Sequence, residues 1–338
     1  MGHSKTRYLV TGAAGFIGAR FVESCNKKKI DLISVDRLSH FETRTDHSGL
    51  DVGTRVDRDL FVDKDATSVR STLKELSGDL PISAVIHLGA ITDTRESDPE
   101  RLKRYNLQYS KTLCSYCALE GIPFIYASSA ATYGEGELGY SDSEEAIPRL
   151  VPLNLYGKSK QDFDLWILEN ERNSALVPPH WTGFKFFNVY GYGEGHKGFM
   201  SSVVLHAYEQ ILKRGDVKLF KSHREGIADG LQKRDFVYVQ DVVDVLHFAI
   251  EHPIRRGIFN LGSGHARSFL DLARAVFKAM NCQEKIFFID TPLSIRDKYQ
   301  YFTEAPMQKL RQAGFQASFT SLEEGVTDYV RKLKSKLT

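Results

Sequence analysis

The sequence predicts an α/β protein built on a doubly wound parallel sheet, with a smaller α/β region interleaved with it. Three observations predict this class: short apolar runs alternate with amphipathic stretches, a glycine-rich turn follows the first run, and an aspartate closes the second. "RYLVT" (7–11) reads as the first strand, and "TGAAGFIG" then opens a helix that begins near Phe16. "DLISVD" (31–36) is the second strand. "DLFVD" (59–63) reads as the third, "ATSVRSTLKELS" (66–77) as a helix and "SAVIHL" (83–88) as the fourth strand. A helical pattern covers 101–121, "PFIYAS" (123–128) is the fifth strand, and "GFKFFNV" (183–189) is one further strand. Beyond Val189 the pattern loosens. A polar stretch at 221–233 has the composition of a loop or lid, after which "RDFVYV" and "GIFNLG" return as strands. The expected division is 1–189 plus 235–262 for the nucleotide-binding domain, and 190–234 plus 263–338 for the substrate domain.

Composition narrows the function classes. With 338 residues and 42% hydrophobic content, the chain can bury a substantial core. Its 45 basic and 43 acidic side chains nearly cancel, so no net field draws it to nucleic acid or to an anionic membrane. No run approaches membrane-spanning length, and the first strand begins too early for a signal peptide. The four cysteines include "CSYC" inside a helical pattern, with no further ligands spaced for a metal site. These features lead us to expect a cytoplasmic location, idle thiols and no metal. There is no internal repeat and no low-complexity tract.

The glycine-rich turn points to a dinucleotide. Gly12, Gly15 and Gly18, three residues apart between a strand and a helix, let main chain meet a pyrophosphate at the helix N-terminus. Asp36, eighteen residues past Gly18, is placed for the adenosine ribose, and Arg37 beside it could pair with a 2′-phosphate, which favours NADP over NAD. Gly89 and Ala90 end the fourth strand, where small residues leave room for a cofactor across the sheet edge, or for a close-packed crossover.

A second group of residues points to proton transfer. "NLYGKSK" places Tyr156 and Lys160 four apart at the start of a helix, hence on one face. A free phenol has a pKa near 10, so a tyrosine base needs roughly 4 kcal/mol of electrostatic help to work at pH 7, which an adjacent ammonium and an oxidised nicotinamide can provide. Ser129, at the end of the fifth strand in "YASSAATYG", can hydrogen-bond the reacting oxygen. Lys197 sits in the glycine-rich loop "FNVYGYGEGHKG", where main chain can approach a ligand closely.

The ordered set "TGAAGFIG", "SSAATYG" and "YGKSK" resembles the extended short-chain dehydrogenase/reductase superfamily, with its Rossmann fold. Within it, "YASSAATYG", "FNVYGYGEGHKG", "KRDFVYV", "GIFNLGSG" and "YQYFTEA" are similar to the ADP-glyceromanno-heptose 6-epimerase family. That resemblance implies inversion of C6 in ADP-heptose for the lipopolysaccharide core, tightly held NADP, and assembly as a homo-oligomer. By the same resemblance Tyr156 and Lys197 are the two acid/base residues, Lys160 assists Tyr156 and holds the nicotinamide ribose, and Ser129 orients the substrate hydroxyl. The resemblance further places Phe16, Ile17, Asp36, Arg37, Asp63, Leu88, Asn106 and Val189 on the cofactor. It places Asn188, His206, Phe220, Ser222, Arg234 and Tyr299 on the nucleotide sugar. The chain departs from the family pattern at Phe199, where serine is usual, at Arg37, where asparagine is common, and in the longer segment "HREGIADGLQ".

Rival activities read differently in the same places. Related 4,6-dehydratases carry an Asp-Glu pair after the strand-five serine or threonine, whereas this chain has Ala130 and Ala131. A hexose 4-epimerase would share Ser129, Tyr156 and Lys160 but would not require Lys197. A non-catalytic NADP sensor would need only the cofactor turn.

Overall fold

Runs of branched and aromatic side chains buried on both sides form strands, and the amphipathic stretches between them form the covering helices. The computed structural model describes residues 6–78, 80–252, 254, 256–296 and 300–336. Among these, the strands are β1 (Arg7–Thr11), β2 (Asp31–Asp36), β3 (Thr54–Asp57), β4 (Ala84–His87), β5 (Phe124–Ser129) and β6 (Trp181–Phe186). They continue with β7 (Asn188–Tyr190), β8 (Val217–Phe220), β9 (Lys233–Tyr238), β10 (Arg256–Leu261), β11 (Ala266–Ser268) and β12 (Ile286–Ile289).

The chain divides into two units, Met1–Phe186 with Val243–Asn260, and Phe187–Val242 with Leu261–Thr338. In the first, a seven-stranded sheet runs in the order β10-β6-β5-β4-β1-β2-β3. Every pairing from β6 across to β3 is parallel, so the doubly wound α/β class holds. The strand order reverses beside β1, and the cleft at the carboxyl ends of β1 and β4 is where such sheets bind ligands. Leu9, Val10, Ile33, Val35, Val85, Ile86, Phe124 and Phe184 fill the sheet core. Asn260, fully buried on β10, donates its N–H to Asp142 at 2.9 Å, accepts from the Tyr133 hydroxyl at 2.6 Å and donates its amide to the Tyr140 carbonyl at 2.7 Å.

Two strand expectations are corrected. "DLFVD" is not a strand: Arg58–Leu60 form a short 3-10 turn capped by Asp57, and Phe61 and Val62 plug into the core from it. The third strand lies upstream at "TRVD", where Val56 pairs with Val35. "GFKFFNV" breaks after Phe186: the Phe187 N–H turns to the Leu261 carbonyl, and Asn188–Tyr190 pair with β9 instead. The strand at "RDFVYV" accordingly belongs to a small sheet of order β11-β9-β7, and β8 pairs with β12 in parallel.

In the second unit Asp235, fully buried on β9, gathers distant segments. Its carboxylate accepts from the Ser263 N–H at 2.6 Å, the Gly264 N–H at 2.9 Å and the Ala305 N–H at 3.0 Å. Helices Phe269–Met280 and Leu322–Ser335 begin with reciprocal capping boxes, Ser268 with Asp271 and Ser321 with Glu324. No described helix is long and apolar enough to cross a membrane.

Candidate active site

The glycine turn is shaped by main-chain approach. Gly12 has φ +68°, and a Cβ there would lie 2.8 Å from the Gly89 nitrogen, so the turns after β1 and β4 lie back to back. A Cβ on Gly18 would lie 2.0 Å from the Gly12 carbonyl oxygen, so helix Phe16–Lys27 rests directly on the turn. Gly15 stands at the helix cap and no acidic residue occupies the first turn, leaving a helix start suited to a pyrophosphate. Ala13, Ala14 and Phe16 are buried beneath it, and Ile17 is half-buried. These features fit a dinucleotide.

Asp36 ends β2 as expected, and is 6% exposed. Its Oδ2 accepts from the Ala14 N–H at 3.1 Å, and its Oδ1 accepts from the Arg37 N–H at 2.8 Å and faces His40 Nδ1 at 2.7 Å. Burial pushes this carboxyl up, but His40, the Arg37 N–H and the Arg44 charge outweigh it and hold it below its ordinary value. Arg44 donates to the Ala14 carbonyl at 3.0 Å. His40 and Arg44 thus lie beside the Asp36 carboxylate, with the Arg37 main chain bonded to it. Asp63 has φ +60° and accepts from Arg104 at 2.6 Å. Leu88, Gly89 and Ala90 are half-buried at the end of β4. Asn106 is 1% exposed within a π-type stretch, Lys103–Gln108; its amide bridges the Ile91 main chain at 2.8 and 3.0 Å and donates to Ser159 Oγ at 2.9 Å.

Tyr156, Ser129 and Lys160, which the sequence singles out for proton transfer, lie on a helix and a strand of the first unit that touch through Lys160. Asn154 caps helix Leu155–Arg172 by accepting from the Gly157 N–H, which fixes the first turn carrying Tyr156. Tyr156 is half-buried there, and Ser129, half-buried at the end of β5, accepts from the Ala131 N–H at 3.1 Å. Burial raises the phenol's pKa and the Ser129 hydroxyl pulls it back. Lys160, one turn on and 5% exposed, donates to the Ala127 carbonyl at 2.9 Å. Burial pushes its ammonium down to about 8, with Asp164 opposing. Helix Leu155–Arg172 thus brings Lys160 onto the main chain of β5 two residues before Ser129, with Tyr156 one turn earlier on the same helix.

In the second unit Lys197 lies in a 3-10 segment, Gly195–Met200, broken at Gly198 with φ +55°. Its Nζ is 3.7 Å from Glu194, a fully buried carboxylate fixed by the Ser202 N–H at 2.7 Å. Asn188 is exposed on β7 with Val189 half-buried beside it, and His206 faces the Phe199 carbonyl at 3.3 Å. Phe220 ends β8, and Ser222 donates its N–H to Asp229 at 2.7 Å. Arg234 is 8% exposed, donates to the Gln300 carbonyl and lies 5.6 Å from the Phe269 ring centroid. Tyr299 lies outside the described residues.

Sequence reasoning missed His40, Arg44, Glu194 and Asp164. Three of them were signalled by helical spacing: His40 follows Asp36 by four, Glu194 precedes Lys197 by three and Asp164 follows Lys160 by four.

Comparison with known proteins gives concordant results. Residues 8–262 match the NAD dependent epimerase/dehydratase family. The chain is 45% identical over 337 residues to the ADP-L-glycero-D-manno-heptose-6-epimerase of Fusobacterium nucleatum, covering 97% of this chain and 98% of that one. It is 46% identical over 328 residues to the enzyme of that name from Nitratidesulfovibrio vulgaris, covering 96% and 97%. The crystal structure of the Helicobacter pylori ADP-L-glycero-D-manno-heptose-6-epimerase shares the fold, with TM-score 0.78, 24% identity and coverage of 98% and 97%. The UDP-glucose 4-epimerase of Thermus thermophilus, solved with NAD, gives TM-score 0.73 at 26% identity, covering 97% and 99%.

Proposed function

The chain belongs to the NAD-dependent epimerase/dehydratase family, and from that premise we propose that it inverts C6 of the heptose in ADP-D-glycero-D-manno-heptose, giving ADP-L-glycero-D-manno-heptose, with NADP as cofactor and in the cytoplasm. The observation that carries this reading is Lys160 seated on the Ala127 carbonyl of the strand that ends on Ser129, with Tyr156 one turn before it on a helix capped by Asn154. The near full-length identity to heptose epimerases supports the choice of substrate. Arg37, with His40 and Arg44 beside Asp36, supports NADP over NAD.

A bound nicotinamide supplies reversible hydride acceptance at C6. The protein handles the proton of the C6 oxygen. Tyr156, its phenolate favoured by Lys160 and Ser129, takes the hydroxyl proton as the ketone forms, or returns it in the reverse sense. Re-reduction on the other face of that ketone calls for a second proton carrier, and Lys197 fills that role, held by Glu194. Asn188, His206, Arg234, Phe220, Ser222 and Tyr299 contact the nucleotide sugar.

Incubating the purified protein with ADP-D-glycero-D-manno-heptose and following the C6 configuration by NMR tests the reading. Inversion is expected with no accumulation of reduced cofactor; stoichiometric reduced cofactor with released ketone would instead mark a dehydrogenase. Tyr156→Phe and Lys197→Met should each lower turnover by about two to four orders of magnitude while cofactor stays bound. Near-normal turnover in Lys197→Met would sink the two-base mechanism.

A further inference from the structure

Behind Lys160 lies a buried charge network that the proposed chemistry does not use. Asp164, one turn beyond Lys160, and Lys185 on β6 form an ion pair at 2.7 Å, with both side chains fully buried. Asp164 also accepts from the Tyr126 hydroxyl at 2.9 Å and the Ser128 hydroxyl at 2.8 Å. Lys185 also donates to Thr132 Oγ1 at 2.7 Å, and the Thr132 hydroxyl donates to the Ser129 carbonyl at 2.8 Å. The network thus joins the helix of Tyr156 and Lys160, the strand that ends on Ser129, and the turn after it. Apolar residues of similar volume would serve stability at least as well as a dry ion pair, so stability gives no reason for these charges.

We infer that Asp164, paired with Lys185, is a positioning residue that favours the ammonium form of Lys160 beside Tyr156 and fixes the Ser129 turn against their helix. This rests on the epimerase reading of Tyr156 and Lys160. Residues four apart share a face of a helix, so Asp164 lies one turn from Lys160 on the same face. Burial drives Lys160 toward its neutral form, and the Asp164 charge opposes it. The other titratable groups around this face include Tyr156 on the same helix, His87 on β4, which burial keeps neutral, Tyr126 on β5, and Tyr133, whose ring lies 5.3 Å from the Lys185 ammonium. Removing one partner of a dry ion pair leaves the other uncompensated, so Lys185 is what lets the Asp164 carboxylate stand on this face of the helix.

The test uses the cofactor-bearing protein and two readouts: the pH profile of kcat with ADP-heptose, and Tyr156 phenolate formation at 295 nm, taken as a difference against the matching Tyr156→Phe protein. Asp164→Asn and Lys185→Met should each move the alkaline limb of kcat down by about one pH unit and delay phenolate formation by a similar amount. Lys185→Arg should restore both toward the wild-type positions. If either single variant fails to fold, the double variant Asp164→Asn/Lys185→Met leaves no buried charge unpaired and should show the same shifts. Unchanged limbs and phenolate titration in a folded, cofactor-bearing Asp164→Asn or double variant would overturn the inference. A phenolate shift in a protein that does not turn over ADP-heptose would support it while overturning the proposed activity.

Discussion

Gly18→Ala is the smallest change that strains the cofactor turn. The added Cβ would lie 2.0 Å from the Gly12 carbonyl oxygen, 2.7 Å from its carbon and 3.0 Å from Ala13 Cα. These are main-chain atoms and they cannot retreat, because the Gly12 N–H is bonded to the Val35 carbonyl at 2.8 Å and Gly12 is pressed against Gly89. The helix must therefore lift by roughly 1.4 Å to reach an ordinary contact of 3.4 Å. Overpacking costs about 1–3 kcal/mol, and with rigid main chain on one side the upper end is expected, about 4 °C in Tm for a chain of this length. The same lift carries first-turn N–H groups away from a pyrophosphate, and losing one hydrogen bond to a charged group weakens binding by about 10- to 100-fold. Thermal unfolding by circular dichroism and calorimetric titration of cofactor into stripped protein measure the two effects. Gly49→Ala is the control: its φ is +79° with nothing within 4 Å, so it carries only backbone strain of about 1–2 kcal/mol and leaves cofactor affinity unchanged. A Gly18→Ala protein with wild-type Tm and affinity would refute the close-packing argument.

Three further outcomes are expected. Arg37→Ala should weaken NADP binding by about tenfold or more with little effect on NAD, and equal losses by calorimetry would remove its 2′-phosphate role. Ser129→Ala removes the hydroxyl that lowers the Tyr156 pKa, so burial acts unopposed; the acid limb of kcat should move to higher pH, with turnover near neutrality reduced by about tenfold. His247, stacked on Phe21 at 4.7 Å, is pushed by burial from 6.5 to about 4. The unfolded chain thus binds a proton that the folded one refuses, so stability falls as pH drops from 6.5 toward 4, by up to roughly 2–3 kcal/mol. In His247→Phe, denaturant titrations should show a shallower acid decline, and an unchanged decline would place the acid sensitivity elsewhere.

What the sequence made legible was local. The turn at Gly12–Gly18, strands β1 and β2, helix 66–77 and the Tyr156–Lys160 spacing depend on neighbours a few residues away, so pattern sufficed. "DLFVD" misled because its apolar pair is buried from a turn, and alternation cannot tell a strand from a plug. The break at Phe187 depends on Leu261, seventy-four residues later, which no local pattern encodes. Asp164 and Lys185 read as ordinary helix and strand charges, since burial to zero exposure is a property of the assembled sheet.

The position of β10 has a consequence for synthesis on the ribosome. Residues through Phe186 can lay down six strands, but the seventh arrives only when residues 256–261 have emerged. Until then the nascent chain presents β6 as a bare, apolar edge, the kind of surface that recruits strands from other chains. Tyr133, Asp142 and the Tyr140 carbonyl also lack their bonds to Asn260 until then. A chain cut short between 187 and 255 should therefore be a client for chaperones, and the last strand to arrive both closes the sheet and sets the neighbourhood of its chemistry.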